Sequence, residues 1–341
     1  MKIGIVEKPG VLKLSERDMP RLNEPGDVLI KVKRVGICGS DIHIFHGKNP
    51  FAVYPRVWGH EFVGEVVETG SGVKTVTKGA HVVVEPIVSC GTCYACRQGR
   101  GNICEHLQVM GVHIDGGCQE YIVVSEANVH ILPDSLPWDE AVLIEPFTIG
   151  AQACYRGKVQ KGDFVLVMGA GTIGLTALQM TKLAGATVIV TDLVPEKLVY
   201  AKTRGADYII NAKEENLFEK VREITGGMGS NVTIDAVCNK KSFEDCIEIT
   251  SAAGRVVELS FNEIPSEIAP VNIIKKELTI CGSRRQTKRF PVVIDYLKQG
   301  KLPLTGFVTK TYPIEQMVEA FEYVDANSAS VRKVVITMPG I

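Results

Sequence analysis

The sequence predicts an α/β protein: a doubly wound parallel sheet joined to a second, mostly β region. Three observations predict it. The chain has 341 residues, which at roughly 150 residues per domain suggests about two domains. Gly and Pro break its first ~150 residues into short β-branched runs, the pattern of an all-β, partly closed core. Between about Gly162 and Gly282, apolar strands alternate with helical patterns, and such repeats imply a parallel sheet with helices on both faces.

In the first region, strands are expected at Val28–Val32, Glu61–Glu68, His81–Val84 and Tyr121–Val124, where β-branched residues dominate between turn signals. In the second region, Phe164–Met168 leads into a helix over about Thr172–Ala184, and Thr187–Thr191 into one over Pro195–Arg204. Tyr208–Ile210 precedes a helix near Leu217–Ile224, and Val232–Val237 one near Ser242–Ser251. Val256–Leu259 and Leu278–Cys281 close the series. The tail adds helical patterns at Pro291–Lys298 and Ile314–Val324 and a last strand, Arg332–Ile336. The segment Phe164–Thr181 carries no charge and approaches the length of a membrane span. Gly169, Gly171 and Gly174 in its first half make it a buried strand, turn and helix instead.

Composition excludes several classes. Apolar residues make up 45% and charged residues 23%, as in an ordinary globular protein. The 38 Lys and Arg against 39 Asp and Glu leave a net charge of −1, so no global electrostatic footprint for nucleic acid or an anionic membrane exists. The first apolar run breaks at Glu7, short of an export signal, and ten cysteines without one argue for reduced thiols and a cytoplasmic location.

Gly169-Ala-Gly171-Thr172-Ile173-Gly174 matches the dinucleotide fingerprint. It follows a five-residue apolar strand and opens a helical pattern. Gly169 permits the tight turn, Gly171 lets the backbone approach a pyrophosphate, and Gly174 lets the helix pack on the strand. The helix N-terminus would hold the phosphates. Asp192, 18 residues past Gly174, ends the next strand, where its carboxylate would accept from ribose hydroxyls and repel a 2′-phosphate, favouring NAD over NADP. Bare packing glycines and an ordinary strand-end aspartate are the competing readings.

Cys90-Gly-Thr-Cys93-Tyr-Ala-Cys96, then Cys104, offers four thiolates to one ion. Two-residue spacings let successive thiolates turn back onto a tetrahedral zinc, and a closed Cys₄ set is structural because no position is left for substrate. A zinc ribbon for nucleic acid would bring a basic patch, and this lobe has only Arg97 and Arg100.

Three further elements are Gly36-Ile-Cys38-Gly-Ser40-Asp41-Ile-His43, Gly59-His60-Glu61-Phe-Val-Gly64 and Leu143-Ile-Glu145-Pro146. A thiolate, an imidazole and a carboxylate are all acceptable to Zn²⁺, and three protein ligands leave a position for water or substrate. With the four-cysteine lobe and the fingerprint, in this order, these elements closely resemble the zinc-dependent medium-chain dehydrogenases over essentially the whole chain. Glu-Pro stands where alcohol dehydrogenases carry a cysteine ligand, which places the chain beside the polyol and sorbitol dehydrogenases.

The resemblance implies a GroES-like catalytic domain over 1–148 and 286–341, with a structural zinc lobe at 86–106, and a Rossmann NAD-binding domain over 149–285. It implies two Zn²⁺ per subunit, NAD, and a homodimer or homotetramer; pairing near Leu278–Cys281 is expected because that last strand would be an exposed edge. Cys38, His60 and Glu145 are placed as ligands of the catalytic zinc, with Glu61 coordinating directly in one state or standing just behind the metal. Asp41 matches the aspartate that hydrogen-bonds the ligand histidine, Ser40 the hydroxyl that touches substrate oxygen, and His43 the histidine that passes the proton to solvent. The implied reaction is hydride transfer from a secondary alcohol of a small polyhydroxylated molecule to NAD⁺, with no nucleic-acid or membrane partner.

For the substrate, Arg284 and Arg285 stand side by side where the chain leaves the nucleotide region. Two adjacent guanidinium groups suit a carboxylate, and a solvated basic run is the alternative. Pro50–Val57 and Met110–Gly117 look similar to bacterial dehydrogenases of six-carbon sugar acids, the L-galactonate 5-dehydrogenases and their L-gulonate-oxidising relatives. This similarity places His113 at the substrate pocket with Phe147 and Thr148. Neutral or phosphorylated polyols (sorbitol, galactitol 1-phosphate), L-threonine and a non-catalytic NAD- and zinc-binding regulator are the other expectations.

Overall fold

A computed structural model describes residues 1–339. The chain divides into two compact units, Met1–Glu145 with Ile294–Ile341, and Pro146–Val293.

In the first unit, one sheet runs Val129–Ile131, His81–Val84, Glu61–Thr69, Asp27–Ile37, Lys333–Thr337, Val308–Pro313, and Tyr121–Ser125 also pairs with Asp27–Ile37. All neighbours are antiparallel except Lys333–Thr337 and Val308–Pro313, which are parallel. A smaller sheet joins Lys2–Lys8 to Val11–Glu16 and Arg56–Val57. Val32, Val35, Trp58, Phe62, Val82, Phe321 and Ile336 are buried in the common core. Each such side chain contributes about 1.5–3 kcal/mol relative to exposure.

The strand Asp27–Ile37 is longer than Val28–Val32, the stretch expected from the sequence. Lys31, Lys33 and Arg34 interrupt its apolar run and disguise the strand, although Lys33 is buried and its ammonium reaches Glu65 Oε2 at 3.2 Å. The register places Gly36 opposite Glu61 on one side and opposite Val335 on the other. Three strands distant in sequence therefore meet at the end of Asp27–Ile37.

Directly after that strand comes a helix that sequence periodicity did not reveal, Gly39–Phe45. Seven residues are too few for an apolar stripe to register. Its signal is the cap: Cys38 is extended (φ −95°, ψ 154°), and the Asp41 carboxylate at the third helical position accepts from the Cys38 N–H at 2.8 Å. The helices Trp138–Ala141 and Ile144–Arg156 were likewise not anticipated, and the second of these carries Glu145, Phe147 and Thr148.

The second unit is a six-stranded parallel sheet in the order Tyr208–Asn211, Thr187–Asp192, Phe164–Met168, Ser230–Asp235, Thr250–Glu258, Thr279–Gly282. This is the doubly wound arrangement that the sequence predicts, with its reversal between Phe164–Met168 and Ser230–Asp235. Leu166, Met168, Ile189, Ile210 and Val256 pack with Leu217, Val221, Cys246 and Ile247 from the helices Leu217–Ile224 and Lys240–Ile249. The strand Thr250–Glu258 begins six residues earlier than the expected Val256, because a register shift between Ser230 and Val232 lets Thr250 pair as well.

Candidate metal and dinucleotide sites

Within the first unit, Cys38, His60 and Glu61 each offer a ligand atom, and these atoms lie within 4.8 Å of one another. Cys38 caps the helix Gly39–Phe45, while His60 and Glu61 lead into the strand Glu61–Thr69. Asp41 is fully buried, with one oxygen on the Cys38 N–H and the other 3.4 Å from His60 Nδ1. That geometry turns His60 Nε2 away from Asp41 and toward a ligand. Burial alone would push the His60 pKa down. The charges of Asp41 and Cys38 more than reverse this and hold it well above the usual histidine range. The pocket therefore favours a positive charge, and thiolate, imidazole and carboxylate form a donor set that fits zinc.

Glu145 is buried, and its charge helps raise the pKa of Lys333, but its carboxylate is outside the three-ligand group. Sequence reasoning missed Lys333. Its ammonium donates to Glu61 Oε1 at 2.7 Å, Oε2 at 2.6 Å and the Ile37 carbonyl at 3.2 Å. Lys333 is 2% exposed and Glu61 1%. Burial opposes the charged lysine, and the Glu61 carboxylate beside it, with Cys38, raises its pKa above the ordinary value. A sequence signal did exist: lysine inside the apolar run Val331–Ile336 must find a partner if that run is a core strand.

Ser40 is half-buried and His43 exposed, one turn apart on the same helix. The i, i+3 spacing puts both side chains on one side of it. His113 is half-buried, its Nδ1 accepts from the Val109 N–H at 3.1 Å, and its ring centre is 6.3 Å from that of Phe51.

The four-cysteine lobe is independent of this group. Cys90 and Cys96 sulfurs stand 4.0 Å apart, Cys93 and Cys104 3.8 Å, and Cys90 and Cys104 3.4 Å. A tetrahedron of sulfurs about 2.3 Å from zinc has edges of about 3.8 Å, so the spacing suits one ion, whereas a disulfide needs about 2.05 Å. The Thr92 hydroxyl, followed by backbone N–H groups, pulls the Cys90 thiol down to about 5. From Ser89 to Gln108 only Asn102 and Cys104 are buried, so no apolar core holds this lobe together.

In the second unit, the Gly169 turn has φ 93°, and its N–H donates to the Thr191 carbonyl at 2.7 Å. A Cβ on Gly174 would overlap the Gly169 carbonyl oxygen, so only glycine lets the helix start this close to the strand. A Cβ on Gly171 would meet nothing within 4 Å. The loop's backbone is open there, and no side chain caps the helix Thr172–Leu183. An anion suits that end of the helix. Asp192 is tied to the glycine loop: one oxygen accepts from the Ala170 N–H at 2.8 Å, and the other from Leu193 and Val194 at 2.8 and 3.0 Å. These residues fit a dinucleotide.

Arg284 and Arg285 follow the edge strand Thr279–Gly282 and are half-buried. The Arg284 guanidinium lies 5.6 Å from the centre of the Phe261 ring, and Arg285 has a positive φ of 51°. Phe147 and Thr148 are fully buried in the helix Ile144–Arg156.

Comparison with known proteins agrees with this chemistry. The model of the alcohol dehydrogenase GroES-like domain matches residues 24–134, and that of the zinc-binding dehydrogenases matches residues 172–299. The starvation-sensing protein RspB of Escherichia coli K12 is 41% identical over 99% of this chain and 99% of its own. The L-galactonate-5-dehydrogenase of the same strain is 38% identical, again over 99% of each. The crystal structure of an alcohol dehydrogenase (rspB) from E. coli CFT073, complexed with NADH, superposes with a TM-score of 0.94 at 41% identity, covering 99% of both chains.

Proposed function

The chain belongs to the zinc-dependent medium-chain alcohol dehydrogenases, and on that premise we propose that it oxidises a secondary alcohol of a sugar acid, L-gulonate or L-galactonate at C5, to the ketone with NAD⁺ as hydride acceptor. When bound at the sites described, zinc supplies the positive charge that acidifies an alcohol, and NAD⁺ supplies the hydride acceptor. The chain's own groups then have separate tasks. Asp41 keeps His60 oriented and electron-rich. Ser40 accepts the hydroxyl proton and His43, exposed one turn on, passes it to water. The Asp192 carboxylate, already held by three backbone N–H groups, is placed to reject a 2′-phosphate.

The observation that carries the substrate class is the Arg284–Arg285 pair, half-buried at the end of a parallel strand, with Arg284 over an aromatic ring. Two guanidinium groups suit the carboxylate that separates a sugar acid from a neutral polyol. The presence of Cys38, His60, Ser40 and His43 together favours catalysis over a purely regulatory role. A cytoplasmic location is part of this reading, supported by ten free cysteines. Among the described residues no helix is long and apolar enough to cross a membrane. The same reading includes a homodimer or homotetramer. Thr279–Gly282 is a sheet edge whose Ile280, with Val271 and Ile274 on the neighbouring helix Pro270–Ile274, is exposed.

The test is NAD⁺ reduction by zinc-loaded enzyme with L-gulonate, L-galactonate, sorbitol, galactitol 1-phosphate and L-threonine, repeated for Arg284→Ala. Turnover should be confined to the sugar acids, and losing a charged hydrogen bond should raise their KM by about 10- to 100-fold. Turnover with only a neutral polyol, a phosphate ester or threonine, or an equal KM change for acids and polyols, rejects the carboxylate reading.

A further inference from the structure

The glycine loop and Asp192 account for one half of a dinucleotide, and no residue above is assigned to the other half. In a doubly wound sheet the ligand crosses the carboxyl ends of the strands at the reversal. Here the reversal lies between Phe164–Met168 and Ser230–Asp235, and Asp192 ends a strand on one side of it. The nicotinamide half therefore lies over the ends of Ser230–Asp235, Thr250–Glu258 and Thr279–Gly282. Asp235, Glu258 and Ser283 carry polar side chains there, and they divide between the two faces of the sheet. Val256 packs with the helices Leu217–Ile224 and Lys240–Ile249, and Glu258, two residues on, points to the same face. Asp235 is on that face too, its carboxylate accepting from the Ser242 hydroxyl at 2.7 Å. Cys281 is on the opposite face, where its thiol donates to the Arg156 carbonyl at 3.4 Å. Ser283 continues that alternation, because its N–H extends the ladder to the Glu258 carbonyl at 2.8 Å. The same face carries the helix Thr172–Leu183, which opens at the glycine loop. It packs against Ile144–Arg156 so closely that a Cβ on Gly150 would stand 2.5 Å from the Thr176 carbonyl carbon. Ser283 is 7% exposed, and its hydroxyl has no hydrogen-bond partner among the described residues. A buried hydroxyl left alone costs free energy that a polar group of a ligand would recover.

We propose that the Ser283 hydroxyl donates to the carboxamide oxygen of the nicotinamide ring and so fixes the orientation of that ring. The proposal rests on the reading of Gly169–Gly174 and Asp192 as a dinucleotide site. The chemistry of the strand ends selects the atom. Parallel strands end in backbone carbonyls, so acceptors for the two carboxamide N–H groups are plentiful at this edge. Donors are scarce there, since the Ser283 N–H is already bonded to Glu258 and both carboxylates face the other way. The carboxamide oxygen needs a donor, and a serine hydroxyl supplies one O–H. A carboxamide held in one plane presents the hydride-accepting carbon in one orientation.

The test measures binding of NADH, its thionicotinamide analogue and ADP-ribose to the full-length, zinc-loaded enzyme by calorimetry. The analogue keeps the amide N–H groups but replaces the accepting oxygen by sulfur, a weaker acceptor, and ADP-ribose lacks the ring. In Ser283→Ala the Kd for NADH should rise about 5- to 10-fold, while the Kd values for the analogue and for ADP-ribose should change less than about twofold. If Ser283→Ala fails to fold, Ser283→Cys, whose thiol is a weak donor of similar size, carries the same expectation. An unchanged Kd for NADH, an equal loss for NADH and the analogue, or a comparable loss for ADP-ribose overturns the proposal. Failure of the wild-type enzyme to bind ADP-ribose would refute the dinucleotide site itself, which is a different result.

Discussion

Replacing Asp41 by asparagine should weaken metal binding at Cys38–His60 while leaving the fold intact. The amide oxygen can keep the 2.8 Å bond from the Cys38 N–H that caps the helix Gly39–Phe45, so the local backbone keeps its anchor. The change falls on the other atom, 3.4 Å from His60 Nδ1. There a carboxylate oxygen that accepts is replaced by an amide nitrogen that donates, opposite the nitrogen that must carry the proton if Nε2 is to bind metal. At an effective permittivity near 20, opposite unit charges at the 3.4 Å separation attract by about 5 kcal/mol, which bounds the loss from above. The imidazole of a metal-bound histidine carries only part of a charge. The expected loss is therefore about 10- to 100-fold in zinc affinity, or about 1.4–2.7 kcal/mol. Competition against a chromophoric chelator reads the affinity, and nitrogen-15 NMR of the imidazole reads the tautomer. Unchanged affinity with an unchanged tautomer would refute the argument. Loss of the cooperative thermal transition would show instead that Asp41 is needed chiefly as a cap.

Two other predictions follow from the geometry. Cys104→Ser removes the buried member of the sulfur tetrahedron from a lobe with no apolar core; the chain should lose one zinc by mass spectrometry, and trypsin should cut at Arg97 or Arg100 at least about tenfold faster. Full zinc content and unchanged proteolysis would reject a structural metal there. If subunits pair through the open sheet edge as proposed, Ile280→Lys puts a charge in that contact and should raise the dissociation constant at least about 100-fold in sedimentation velocity. An unchanged sedimentation profile would reject pairing through this edge.

Much of this protein is legible in its sequence because the informative residues are close together along the chain. The parallel sheet is built from strand–helix units of a few tens of residues, so apolar runs and periodic helices announce it one unit at a time. The dinucleotide turn is six consecutive residues, Gly169 to Gly174, whose glycines answer to a positive φ and a close backbone approach. The four cysteines span Cys90 to Cys104, and their spacing already encodes a tetrahedral site. Even so, one short helix is not announced by its pattern and one long strand is announced only in part. The helix Gly39–Phe45 rests on a cap rather than an apolar stripe, and the strand Asp27–Ile37 is disguised by Lys31, Lys33 and Arg34 within its apolar run.

Tertiary structure decided what depends on register between distant strands. Nothing near Glu61 in the sequence indicates that its carboxylate is held by Lys333, or that Gly36 must lack a side chain to receive it. Both follow from pairing that places Gly36 opposite Glu61 and beside Val335. The same pairing, with the cap at Cys38, gathers Cys38, His60 and Glu61 and leaves the Glu145 carboxylate outside that group. Sequence determined the kinds of chemistry the chain carries, since residue type and local spacing set what can bind a phosphate or a metal. The fold determined which of those groups share one low-dielectric pocket, because burial forces each charge there to find its partner in space rather than along the chain.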